Sequence, residues 1–374
     1  MTVVTVALCA VLLFVLQQFA YRKLWNKELK VTISFKDRYL NEGEMGWLLE
    51  TLENAKRIPL PMCKVKFECD RELKFFESGE TSVSDKYYRD EVFNIGPYKK
   101  VTRELGFIAA KRGFYTIKGF DVVGTDILMS QQFVEHLENY TDTYVYPIPL
   151  GRDLAEPAIR QLMGEVATRR RFVEDPFEYV GVREYQPFDE PKNINWKATA
   201  KTGDIKVNAH GFTARGGVRI FLNLKDDGVL KHTENVENCI RLAVTLCKTF
   251  TSTGERVALY ANIPDIINGT PMILPANTGE AHMEAVLRGL ARLDTAKKHF
   301  DFDDTFRTTV FEEKNDYMTI FVSTPSANDF EPFLAEYYKT GKAMRSFILC
   351  EETDKYEESP EAAVFTSVIR MEKK

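Results

Sequence analysis

The 374 residues, 44% hydrophobic and 28% charged, make an ordinary globular composition with room for two or three domains, each large enough to bury its own core. A net charge of −5 excludes a broad basic surface, and with it nucleic acid as a partner. The six cysteines (Cys9, Cys63, Cys69, Cys239, Cys247, Cys350) form no CxxC pair and no zinc spacing, so they are read as reduced thiols rather than as a disulfide or metal framework.

Val3 to Leu16 carries no charge, and with Gln17 to Ala20 it approaches the ~20 residues that a membrane helix needs. Tyr21, Arg22, Lys23, Trp25, Lys27 and Lys30 follow, an aromatic and basic fringe suited to headgroups. No charged side chain precedes the run. The cationic bias therefore predicts a single-pass anchor over residues 1–24, with the bulk of the chain on the cytoplasmic side of the cell membrane. A cleaved signal peptide would begin with basic residues and end in small ones, which Met-Thr and Gln-Gln-Phe-Ala do not supply. The two glutamines leave room for a partner helix.

Residues 28–150 have the pattern of a β-sandwich. Leu29, Val31, Ile33 and Phe35 alternate with polar residues, as do Val65, Phe67 and Cys69. Phe107–Ile117 reads as a strand interrupted by Lys111, Arg112 and Gly113, and Ser78–Asp90 as a polar loop. Residues 151–215 form a charged linking segment. Its Arg169-Arg170-Arg171 is either a solvated helix end or a contact for an acidic partner or anionic lipid.

The period changes at Gly216. Val218–Leu222 is a β-branched run without alternation, the mark of a strand buried on both faces, and Val257–Ile263, Met318–Ser323 and Phe347–Cys350 read as further strands. Between them lie helical patterns. The first is carried by Val236, Ile240, Val244, Cys247 and Phe250 and stopped at Gly254. The second runs through Met283 to Leu290. The third starts at a capping box of Asn328 and Glu331 and stops at Gly341. Residues 216–374 are accordingly an α/β doubly wound domain with a parallel sheet.

The stretch EDPFEYVGVREYQPFDEPKNINWKATAKTGDIKV, residues 174–207, holds Arg183, Tyr185, Asp189, Lys192, Ile194, Asn195, Trp196, Ala200 and Lys201 in a characteristic spacing. It resembles the core motif of the bacterial family known as domain of unknown function fifty-eight. Phe188, Lys192 and Asn195 stand where that family usually has Gly, Arg and Asp. Lys111–Tyr115, Tyr146-Pro147 and Pro275–Ala291 resemble further elements of the family. The resemblance implies a von Willebrand A-like domain, a membrane tether and a MoxR-type AAA ATPase as partner, in a family with no established enzymatic activity; the residues themselves show no nucleophile–base pair, Walker motif or GxSxG, so no catalysis and no cofactor are expected. From the residues alone, Asn195 can cap a short helix and Asp189 can reach Arg183 or Lys201. The motif is then either a polar clasp with Trp196 as its buried plug, or a docking surface built from Arg183, Tyr185, Asp189, Lys192, Asn195, Trp196 and Lys201.

A metal-binding von Willebrand A domain holds Mg²⁺ through D-x-S-x-S after its first strand. Here Asn223, Lys225 and Asp227 occupy those places, and an ammonium repels a cation. No metal is expected, although a metal-dependent ligand-binding module stays as an alternative. The histidines (His136, His210, His232, His282, His299) have no ligand spacing. A hydrolase using His299 and Asp301 is the second alternative, and requires the two to converge in a pocket.

Overall fold

The structure, a computed structural model, describes residues 2–76, 86–170, 179–187, 189–210, 217–226, 232–312, 317–325, 330–352, 354, 356 and 359–371. Two compact units divide the chain: Met1–Ile148 with Leu290–Arg292, and Pro149–Gly289 with Leu293–Lys374.

The first unit opens with α1, Thr2–Leu24, long and apolar enough to cross a membrane. Its apolar stretch is exposed, but its end is tied to the strands that follow: Tyr21 is buried and its hydroxyl donates to Pro59 O at 2.8 Å. Among the described residues nine strands follow: β1 (Leu29–Phe35), β2 (Tyr39–Asn41), β3 (Met45–Asn54), β4 (Leu60–Asp70), β5 (Leu73–Phe75), β6 (Lys86–Ile95), β7 (Lys99–Ala109), β8 (Gly113–Thr125) and β9 (Gln132–Tyr146). They form one sheet in the order β1-β3-β7-β5 and another in the order β2-β9-β8-β4-β6. Alternation decides which face is buried: in β4, Cys63, Val65, Phe67 and Cys69 point inward. They meet Ile33, Leu48, Leu52 and Phe107 of the other sheet in one shared core, the arrangement of a β-sandwich.

Two local expectations are corrected here. Lys86–Asp90 belong to β6 rather than to a loop, while residues 77–85 lie outside the described residues. Phe107–Ile117 is two strands, β7 and β8, because the chain turns at Lys111–Gly113. The Tyr115 hydroxyl folds back to donate to Lys111 O at 2.7 Å. A Cβ on Gly113 would lie 2.7 Å from the Tyr115 ring, so a larger residue there would displace the ring from this bond. That contact gives the Lys111–Tyr115 element its physical reason.

The sandwich also buries charge. Glu91 accepts from Arg89 Nη2 at 2.6 Å and from Arg103 Nη1 at 2.8 Å. Glu50 of β3 is fully buried, with neither carboxyl oxygen hydrogen-bonded. Burial, reinforced by the charge of Glu91 and opposed by Arg103 and Arg89, pushes its pKa up to about 8.

In the second unit, α2 (Arg152–Arg170), β10 (Tyr179–Glu184), a 3₁₀ turn (Pro191–Asn193), α3 (Trp196–Thr202) and β11 (Lys206–His210) come first. The expected linking segment is therefore structured over most of its length. It ends α2 in the arginine run, of which Arg171 and the side chains of Arg169 and Arg170 lie outside the described residues. Then come β12 (Val218–Asn223), α4 (Thr233–Ser252), β13 (Val257–Pro264), β14 (Pro271–Asn277), α5 (Glu280–Ala291), α6 (Phe302–Glu312), β15 (Met318–Ser323), α7 (Phe330–Lys339), β16 (Met344–Glu351), a 3₁₀ turn (Ala362–Val364) and β17 (Thr366–Met371).

The six strands β12 to β17 form one sheet in the order β14-β13-β12-β15-β16-β17, parallel throughout except for β14, which runs antiparallel to β13. Every residue of β12, β13 and β15 is buried, as the unalternating sequence demands. Phe221 and Phe321, paired across β12 and β15, stack at 5.6 Å and pack under Phe302, Phe306, Phe333 and Tyr337 of α6 and α7. The long helix α4 packs against β12, β13, β15 and β16. Gly254 and Gly341, both at positive φ, stand just past α4 and α7 as the expected stops. The expected capping residue Asn328 lies outside the described residues.

Candidate docking site and sheet switch point

The motif folds as a small element of its own. Strands β10 and β11 pair antiparallel, with Arg183 opposite Val207. Past β10 the chain turns at Gln186–Asp189, and the Asp189 carboxylate receives Arg183 through both guanidinium nitrogens, Nη1 at 2.6 Å and Nη2 at 2.5 Å. Gln186 N donates to the same carboxylate at 2.8 Å. The Arg183 hydrogen bonds first, then the Gln186 N–H, hold the Asp189 carboxyl below the usual carboxylate range.

Asn195 does two things at once. Its Oδ1 caps α3 by accepting from Ala198 N at 3.0 Å, and its Nδ2 donates to Asn208 Oδ1 on β11 at 2.7 Å. Lys206 N donates to Thr199 Oγ1 at 3.0 Å, so α3 is pinned to the start of β11.

The expected site residues do not all converge. Asp189 pairs with Arg183, and Lys201 lies exposed in the last turn of α3. Lys192 pairs with Glu190 on the surface, and Tyr185 lies one residue beyond β10. Trp196 is 71% exposed and cannot be a buried plug. It is the first residue of a seven-residue helix, immediately after the cap, and among the described side chains of this element the buried apolar one is Val207, 1% exposed. Tyr179, Val182 and Ile205 are exposed on the same element.

The second place of interest is where the order of the sheet reverses, between β12 and β15. Ligand crevices in doubly wound sheets open at such points, outside the carboxyl ends of the strands. Asn223 ends β12, and Thr324 follows β15. Thr324 N donates to Asn223 O at 3.3 Å, and its hydroxyl donates to Lys225 O. Asn262, wholly buried on β13, joins the group: its Nδ2 donates to Asn223 Oδ1 at 2.9 Å, and its Oδ1 accepts from Leu224 N at 2.9 Å. Asp226 accepts from His232 N at 2.7 Å, while Asp227 lies outside the described residues.

Magnesium requires several hard oxygens free to turn toward it. Asn223 Oδ1 and the Thr324 hydroxyl each keep a lone pair but are neutral and tied into this group, and Lys225 brings an ammonium where a ligand would stand, so these three residues are a poor match for that ion. Among the described residues, no group of three or more His, Cys, Asp or Glu is placed to hold a metal.

A crevice of about 420 Å³ opens beside Asn223 and Lys225. His299 and Asp301 both line it, so these two sequence candidates do come together. Asp301 Oδ1 accepts from Asp304 N at 3.1 Å near the start of α6. Arg307 was not singled out in the sequence. It binds both carboxylate oxygens of Asp303, at 2.9 Å each, and both of Glu336, at 2.6 and 2.7 Å. Asn262 was also missed, although an amide inside the apolar run VALYANIP is a visible signal.

No curated protein matches the chain. Among solved structures, the PapD-like domain 7 of human CEP192 is 13% identical, covering 32% of this chain and 84% of that one with a TM-score of 0.21. The cohesin module of a Clostridium perfringens family 33 glycoside hydrolase is 11% identical, covering 30% and 96% with a TM-score of 0.21. The CARDB domain of a Pyrococcus furiosus protein is 14% identical, covering 32% and 90%, also at 0.21. None superposes well enough to assign a fold. Residues 181–334 match the model of the family described as Protein of unknown function DUF58. That stretch, which holds both the Arg183–Asp189 clasp and the sheet's switch point, is where the chain is similar to the DUF58 family.

Proposed function

We propose that this is a non-catalytic, single-pass membrane protein with its bulk on the cytoplasmic side, whose α/β domain is von Willebrand A-like and whose β10–α3–β11 element docks a partner protein. The observation that carries the reading is Trp196: a large aromatic, 71% exposed, on a helix held by the Asn195 cap and by the bond from Lys206 N to Thr199 Oγ1. Tryptophan, tyrosine and arginine dominate interface energetics, and a rigid mount lowers the ordering cost of binding. The partner class favoured by the family resemblance is a MoxR-type AAA ATPase supplied in trans. Capture from detergent-solubilised membranes with wild-type, Trp196→Ala and Arg183→Ala chains tests it. Wild type should retain the ATPase and both variants should lose it; recovery that is equal for all three rejects this surface.

A second reading has one observation in its favour, the shared crevice of His299 and Asp301. It makes the α/β domain a small-ligand binder or a hydrolase, with His299 as general base. Turnover of an ester panel that disappears in His299→Ala would establish it.

A further inference from the structure

The turn joining β8 to β9 reads Asp126-Ile127-Leu128-Met129-Ser130, with Ile127, Leu128 and Met129 exposed by 51%, 61% and 59%. Turns that face water are usually built from Gly, Asn, Asp, Ser or Pro. This one keeps polar residues at its base and three large apolar side chains at its tip, and Met129 takes a left-handed conformation at φ 54°. The base is well made. Met129 N donates to Asp126 O at 3.0 Å, and the Asp126 carboxylate accepts from Ser130 Oγ at 2.5 Å and Gln131 N at 3.0 Å.

The same base is tied to α1. Gln17 Nε2 donates to Asp126 Oδ2 at 2.6 Å and Gln18 Nε2 to Ser130 Oγ at 3.3 Å. Farther along the helix, Trp25 stacks on Phe133 at 5.9 Å and fills the space over Gly124. From Gln17 to Trp25, the contacts thus move from the tip of the hairpin into its body. The hairpin therefore points toward the N-terminus of α1. Gln17 precedes Arg22 by five residues, which at 1.5 Å per residue is roughly 8 Å of helix. If Arg22 and Lys23 mark the headgroup level, the base of the turn lies on the membrane side of it, with the apolar tip beyond.

We infer that Ile127, Leu128 and Met129 embed in the bilayer surface as a second membrane contact beside the helix, an inference that rests on α1 spanning the membrane. The lipid acyl region just below the headgroups is the occupant that this geometry selects. The contact accounts for two polar residues in an otherwise apolar span, since Gln17 and Gln18 spend their amides on the hairpin rather than on lipid. It also holds the sandwich at a fixed angle to the membrane, which a lone helix would leave free to swivel.

The test uses the full chain. Cys9 is exposed and the other five cysteines are buried, so Cys9→Ala/Leu128→Cys leaves one reactive thiol for an environment-sensitive fluorophore. A second chain, Cys9→Ala/Tyr140→Cys, carries the label eight residues along β9 from Gln132, roughly 26 Å at 3.3 Å per residue. Both are reconstituted into phosphatidylcholine–phosphatidylglycerol vesicles with a quencher on the acyl chain near the headgroup, and floated. The label at 128 should shift its emission to the blue and be quenched several-fold more than the label at 140. Equal, weak quenching at both positions in chains that float with the vesicles overturns the inference while leaving the anchor intact. Chains that do not float overturn both.

Discussion

Asn262 reaches across from β13 to donate its amide to Asn223 Oδ1 at 2.9 Å, and so turns the end of β12 into a closed hydrogen-bond group. One lone pair of that amide oxygen is taken by its neighbour. The wild-type melting temperature should be the same in excess Mg²⁺ and in EDTA. A Mg²⁺-dependent rise would show that the loop after Asn223 reopens to hold the ion. Asn262→Ala, which strands Leu224 N and Asn223 Oδ1 in a buried site, should cost about 2–3 kcal/mol in denaturant unfolding.

The Arg183–Asp189 clasp should respond to acid. Asp189 is held below the ordinary carboxylate range in the folded state. Its contribution is therefore complete above the unfolded-state pKa and is lost as the pH falls through the lowered folded value. Amide exchange at Gln186, whose N–H bonds Asp189, should quicken over that acidic interval relative to the trend of other amides. Asp189→Asn should already show the fast rate at neutral pH.

Trp196 and its neighbour should separate stability from binding. Trp196→Ala removes an exposed ring and should alter the unfolding free energy by less than about 0.5 kcal/mol. Asn195→Ala removes a helix cap and should cost about 1 kcal/mol, read as increased exchange across α3. Equal losses of stability in the two variants would mean that the indole is packed rather than presented.

Glu50 sets a pH dependence of the opposite sign to Asp189. Its carboxyl titrates near 8 in the folded sandwich against an ordinary value of 4.5. The favourable, protonated state is therefore fully present below 4.5 and is lost as the pH rises through 8. Within that window stability should fall by about 1.4 kcal/mol per pH unit, or roughly 2.7 kcal/mol from pH 5 to 7. Glu50→Gln should flatten the profile and melt higher than wild type at pH 8. A profile that is unchanged by the substitution would show that Glu50 is solvated.

How legible each element was in the sequence depended on where it sits. Strands β12, β13, β15 and β16 were plain because burial on both faces leaves mostly apolar runs such as VRIFL and MTIFVS, in which Arg219, Thr319 and Ser323 are the polar residues. That arginine is buried nonetheless, donating to Thr309 O at 3.0 Å and Thr319 Oγ1 at 3.0 Å. The edge strands β14 and β17 were missed because their residues are partly exposed and mixed in polarity. Helix α2 was hidden by Pro157 and a mainly polar sequence. At the site, the pairing of Arg183 with Asp189 and the cap by Asn195 followed from spacing, since both are local. The exposure of Trp196 did not, because a tryptophan's size argues for burial, and only the packing around it shows that Val207 has taken the inner position.

The central strand β12 has a consequence for biosynthesis. One of its edges pairs with β13, but the other waits for β15, with Val218 opposite Met318, about 100 positions later in translation. Until that segment leaves the ribosome, a largely apolar strand presents an open hydrogen-bonding edge. The nascent chain is then a natural client for chaperones, and products terminated before Met318 should be sticky and short-lived.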